Sequence, residues 1–102
     1  MKLSEEEIED FKLEIEELTD LLRNEWKDLN EVISKHFDLD QTLLCGYYED
    51  ENNGTEIGVL LIDRKKIVRF EFLNNNLKLT EVENAESIIN EFPQVTIALN
   101  NY

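Results

Sequence analysis

The chain has 102 residues, enough for one domain that buries roughly two-thirds of its unfolded surface without disulfides or metals, so a single domain over 1–102 is expected. Hydrophobic residues make up 41%, which excludes global disorder, and 24 acidic against 10 basic residues leave a formal charge of -14. A field of that sign repels nucleic acid and anionic lipid, argues against direct binding to either, and speeds encounter with a cationic protein.

Ser4 and Glu7 have the spacing of a capping box, and Leu3 and Ile8 that of a hydrophobic staple, so a helix starts at Ser4. Glu5, Glu6 and Glu7 then lie where the helix dipole favours negative charge. Apolar residues recur at Ile8, Phe11, Ile15, Leu18, Leu22, Trp26, Leu29, Ile33 and Phe37. Eight steps over 29 residues give 29/8, about 3.6, the period of a straight helix laid on a core rather than of a coiled coil. Charges on this helix are sorted by side. Lys12, Arg23 and Lys27 share one flank, while Glu6, Asp10, Glu14, Glu17, Asp28 and Glu31 run down the other. Carboxylates four apart repel by a few tenths of a kcal/mol per pair, so the pattern is not one tuned for helix stability. Leu13 and Leu21 project among these acids. The side is read either as a solvated acidic back or as an anionic stripe with apolar anchors for a partner.

After Phe37 the period changes to 2. Segments 42–48 and 56–63 flank Asn53 and Gly54, a pair suited to a type I′ hairpin turn, and 67–73 and 77–82 follow, which reads as a four-stranded antiparallel meander. With Asn53 and Gly54 as a two-residue loop, Tyr48 opposes Val59, and a tight second turn sets Phe70 beside Val59. One face then carries Leu44, Tyr48, Ile57, Val59, Leu61, Val68, Phe70 and Phe72 and receives the long helix. The reverse face carries Leu43, Cys45, Tyr47, Leu60, Ile62 and Ile67 with Arg69 and Glu71, too apolar to stay wet. Its cover is the C-terminal segment, a second copy of the chain, or a partner. Asn84 caps a short helix over 85–92 that Pro93 ends, and 95–99 alternates Val95, Ile97 and Leu99 as an edge strand does. The fold class expected is α+β: a long N-terminal helix on a four-stranded antiparallel meander, then a short helix and an edge strand.

Chemistry is mostly excluded. Cys45 is the only cysteine, so no internal disulfide or cysteine zinc site can form; it reads as a buried small hydrophobe in a reducing compartment. Aligning Gly54 with the glycine of a calcium loop puts Leu60 where a bidentate glutamate is required. His36 is the only histidine, at a helix end, and none of Gly46, Gly54 and Gly58 opens a helix to form a phosphate loop. No catalytic residue, metal or cofactor is expected. No apolar run approaches the roughly 20 residues of a membrane span, and the acidic N-terminus is unlike a signal peptide, so a cytoplasmic protein is expected. Arg64, Lys65, Lys66 and Arg69 form the one basic island, a charged hairpin end that discourages sheet pairing.

The function expected from size and charge is that of a small acidic binding protein, not an enzyme. It would dock on the basic surface of a nuclease or other nucleic-acid enzyme and block it, as immunity proteins or phage counter-defence inhibitors do. The contact set is Glu6, Asp10, Leu13, Glu14, Glu17, Leu21, Asp28, Glu31 and Tyr47. The alternative is a structural or regulatory homodimer joined through the reverse sheet face, with the acidity serving solubility.

Overall fold

A computed structural model describes residues 3–101. Helix α1 runs Glu5–Asn24 and begins as the spacing predicts: the Glu7 N–H donates to Ser4 Oγ at 3.2 Å, and the Ser4 N–H reaches back to Glu7 Oε1 at 3.4 Å. The helix does not continue to Phe37. It stops at Glu25, and a second helix, α2, spans Lys27–Ser34. No glycine or proline causes the break. The side-chain amide of Asn30 donates to the carbonyls of Leu22 and Arg23 (3.0 and 3.1 Å), satisfying two of the last α1 acceptors from outside the helix, and Trp26 leaves the helical region at φ -85, ψ 77. Leu22, Leu29 and Ile33 are nonetheless buried, because α2 keeps the same period.

The sheet is the expected meander, order β1-β2-β3-β4, with β1 Thr42–Glu49, β2 Glu56–Ile62, β3 Lys66–Leu73 and β4 Asn76–Val82, all antiparallel. Its register differs from the expected one in two ways. The first loop is six residues rather than two: Asp50 and Asn53 turn their side chains onto the N–H groups of Asn52 and Thr55, and Gly54 (φ 78) donates to the Asp50 carbonyl. Tyr48 therefore opposes Ile57, and the strand is bulged between Leu44 and Gly46. The second loop is one residue longer than a tight turn, so Val59 faces Arg69 and Leu61 faces Ile67. A slip of one residue sends a strand's apolar set to the opposite face. The two-residue turn with both φ values positive occurs instead at Asn74 and Asn75 (51° and 65°), between Leu73 and Asn76. Asparagine tolerates that left-handed conformation better than other non-glycine residues.

The resulting faces are both covered by the chain itself. On one, Leu44, Leu60, Ile62, Val68, Phe70 and Phe72 pack with Leu22, Leu29 and Ile33, which brings α2 onto the sheet. On the other, Cys45, Ile57, Val59, Leu61 and Ile67 pack with Ile15, Ile88, Phe92, Val95, Ile97 and Ala98. The residues of the expected reverse face are thus divided: the C-terminal segment packs with Cys45 and Ile67 and α2 with Leu60 and Ile62, and Cys45 and Ile62 are 0% and 6% exposed. The C-terminal segment is also rearranged. Only Ala85–Ser87 forms a single 3-10 turn after Asn84, and the short C-terminal helix, α3, spans Gln94–Asn101, where an edge strand was expected. Pro93, with its fixed φ and no N–H, directly precedes the first turn of a helix, a place that suits it. Packing of Val95, Ile97 and Ala98 then overrides the strand preference of Val95, Thr96 and Ile97.

Helix α1 lies along the edge of β1 and supplies what a neighbouring strand would. The Leu44 N–H donates to buried Thr19 Oγ1 at 2.9 Å, and Arg23 donates to the carbonyls of Leu39, Asp40 and Thr42. The opposite edge, β4, has no strand beside it among the described residues.

Candidate functional site

The outward side of α1 is strongly acidic. Its exposed positions are Glu5, Glu6, Glu7, Glu9, Asp10, Leu13, Glu16, Glu17, Asp20, Arg23 and Asn24, so eight of eleven are acids. The one exposed base, Arg23, is at the far end and spends its guanidinium on the three carbonyls named above. Lys12 is half-buried and 3.7 Å from Glu9. Leu13 stands in the middle, 56% exposed. Its neighbours one turn away are Glu9, Asp10, Glu16 and Glu17, and two turns away Glu6 and Asp20. At 3.6 residues per turn all six lie within about 60° of it on the helix wheel. A large apolar side chain with carboxylates on every side along its helix has the layout of a contact anchor inside a polar rim.

The expected contact residues divide among several places. Glu6, Asp10, Leu13 and Glu17 share the outward α1 face, and none of these three carboxylates has an ion-pair partner among the described residues. Glu14 and Leu21 are half-buried at the flank of the helix, where Gln94 of α3 donates to Glu14 Oε2 at 3.2 Å. Asp28 and Glu31 are exposed on α2, past the break, and do not continue the α1 row as one straight helix would have them do. Tyr47 is half-buried, stacked on Trp26 (centroids 4.6 Å) and donating to Glu56 at 2.5 Å; its neighbour Tyr48 is the more exposed of the pair, at 41%. Sequence reasoning passed over Glu9, Glu16 and Asp20. Centring the helix wheel on Leu13 instead of on the basic flank would have found them.

Other acids are committed to the fold. Arg69 holds Glu91 through two hydrogen bonds (2.7 and 2.9 Å) and reaches Glu71 at 3.0 Å, while the Tyr48 hydroxyl donates to Glu91 at 2.7 Å. This network ties the segment after Asn84 to β1 and β3, and it removes Arg69 from the basic island. The Arg69 guanidinium, aided by the Tyr48 hydroxyl and opposed by burial, holds the Glu91 carboxyl below its ordinary range. A depressed carboxylate stabilises the fold above its unfolded value and loses that contribution as pH falls through the folded value. The melting temperature of the wild type should therefore drop more than that of Glu91→Gln between about pH 5 and pH 3. With side-chain exposures of 25% for Arg69 and 31% for Glu91, the difference should stay under about 1 kcal/mol. Parallel pH profiles for the two proteins would remove the pair from the stability account.

Burial pushes the Cys45 thiol up to about 12, in keeping with an inert core position. Among the described residues no group of three or more His, Cys, Asp or Glu has an arrangement that could hold a metal ion, and no helix is long and apolar enough to cross a membrane. Compared with family models, with curated proteins and with solved structures, the chain matches none.

Proposed function

We propose that this chain is a small acidic inhibitor that works in the cytoplasm by docking the outward face of α1 on the basic, nucleic-acid-binding surface of a partner protein. Carboxylates take the places of phosphates against the partner's lysines and arginines, and Leu13 provides the burial at the centre. The observation that carries the reading is the ring of Glu6, Glu9, Asp10, Glu16, Glu17 and Asp20 around an exposed leucine. A helix that needed only solubility would mix signs at spacings of three and four, gaining a few tenths of a kcal/mol per pair. Here Lys12 pairs with Glu9 at the side of the row, and Glu6, Asp10 and Glu17 have no ion-pair partner among the described residues. A role like that of an immunity protein or a phage counter-defence inhibitor fits this geometry.

Affinity capture from the cells that make the protein tests the reading. Wild type should retain a basic nucleic-acid-binding protein, identified by mass spectrometry and eluted by salt, and the variant Glu6→Gln, Asp10→Asn, Glu17→Gln, Leu13→Ser should lose it. Equal retention by the two baits, or a retained partner with no basic surface, would remove the proposal.

A further inference from the structure

Where α1 gives way to α2 the surface is indented by an open groove of about 360 Å³. Leu29 and Phe72, both buried, lie at its floor, Trp26 is its half-buried aromatic, and the residues Glu25, Asp28 and Glu56 bring three carboxylates to it. Lys27 is also at the groove, so three negative charges against one positive leave an excess of two. Glu56 is fixed in place by the Tyr47 hydroxyl, and Tyr47 is in turn stacked on Trp26. The carboxylates of Glu25 and Asp28 have no ion-pair partner among the described residues. The N-terminal end of α2, whose dipole would favour an anion, already has Asp28 in its first turn.

We infer that this groove seats an arginine side chain of the basic partner. The inference rests on the partner being basic, though not on the outward face of α1. The groove is at the small end of the roughly 300–1,000 Å³ typical of ligand sites, which suits a side chain rather than a cofactor. A guanidinium is planar, weakly hydrated and always charged; it lies against an aromatic ring and forks onto carboxylates, which is the combination that Trp26, Asp28 and Glu56 offer. An ammonium is a compact, strongly hydrated point charge and makes poorer use of the indole. A neutral side chain would leave the carboxylates partly desolvated and unpaired.

Trp26 is the only tryptophan of the chain, so its fluorescence reports on the groove. Titration with acetyl-triarginine amide should change the emission saturably. Trilysine should bind several-fold more weakly, and the uncharged isostere tricitrulline should give no response. The double variant Asp28→Asn, Glu56→Gln should weaken arginine binding about tenfold, and Asp28→Asn alone, which leaves the Tyr47 to Glu56 contact untouched, should weaken it by a smaller factor. The α1 variant Glu6→Gln, Asp10→Asn, Glu17→Gln should stay within about twofold of wild type, because salt screens charges beyond about 10 Å. An absent or unsaturable response, an equal response to citrulline, or unchanged binding by the groove variants overturns the inference. So does an α1 variant that loses as much as the groove variant, a result that would leave the outward face standing as the peptide's site.

Discussion

Replacing Gly58 by alanine is expected to cost about 3 kcal/mol of folding free energy, the upper end of what overpacking a well-filled core usually costs. A Cβ at this position would stand 2.5 Å from two ring carbons of Phe70 and 2.8 Å from the carbonyl oxygen of Gly46 on the neighbouring strand. Phe70 is 0% exposed, with no free volume to retreat into, and the carbonyl belongs to the β1–β2 ladder. One clash is therefore with backbone, and relieving it means parting the strands. Gly46→Ala makes the informative comparison: its nearest atoms all belong to the ring of Phe92, in a segment held to the sheet by side chains, which can shift more readily. Its cost should be the smaller of the two. Urea unfolding with an unchanged m-value checks both, since the midpoint then reports stability alone. A loss at Gly58 below about 1 kcal/mol would mean that the Phe70 ring is not fixed where the structure puts it.

The second large effect concerns association. Once the captured partner is in hand, its on-rate should fall by about 10- to 10³-fold as ionic strength rises from about 0.01 M to 1 M, over which the Debye length shrinks from about 30 Å to 3 Å. Dissociation should change much less, because rim charges act chiefly on encounter. Neutralising Glu6, Asp10 and Glu17 should flatten the salt dependence, whereas Leu13→Ala should leave its slope alone and speed dissociation, by roughly 2 kcal/mol if Leu13 is the anchor. Stopped-flow measurement separates the two rates. An on-rate indifferent to salt would show that the charge serves solubility and nothing else.

The parts of the fold legible in the sequence are those with a local physical cause. Ser4 and Glu7 specify the start of α1 because both halves of the capping box lie within one turn. Alternation marks the four strands because burial on a sheet has period 2. The α1–α2 break was not legible, since its cause is Asn30 reaching back across the chain and Trp26 stacking on a tyrosine of β1. Tertiary contact also decided 94–101, where a strand-like string of Val95, Thr96 and Ile97 is bent into a helix by what it must cover. The hairpin error had a different source. Asn53 and Gly54 suit a type I′ turn, but Asp50 and Asn53 each capture a backbone N–H two residues on and build a wider loop, leaving the tight turn to Asn74 and Asn75. As for the surface, spacing alone sets Glu6, Asp10, Leu13 and Glu17 on one face of α1, but the division into an anionic and a basic flank left out Glu9, Glu16 and Asp20, which are exposed on the same helix, and included Glu14, which is half-buried. The expected continuation through Asp28 and Glu31 depends on an unbroken helix, and the alternation that puts Tyr47 on the reverse sheet face carries no sign of Trp26 lying against it.

Helix α1 gives Ile15 to one apolar cluster and Leu22 to the other, and so it is riveted on both sides of the sheet. Peeling it away would open both halves of the interior at once, which makes its amides candidates for the slowest hydrogen exchange in the molecule. An acidic face mounted on so firmly clamped an element would meet the proposed target already in its final shape, with little ordering entropy left to lose on contact.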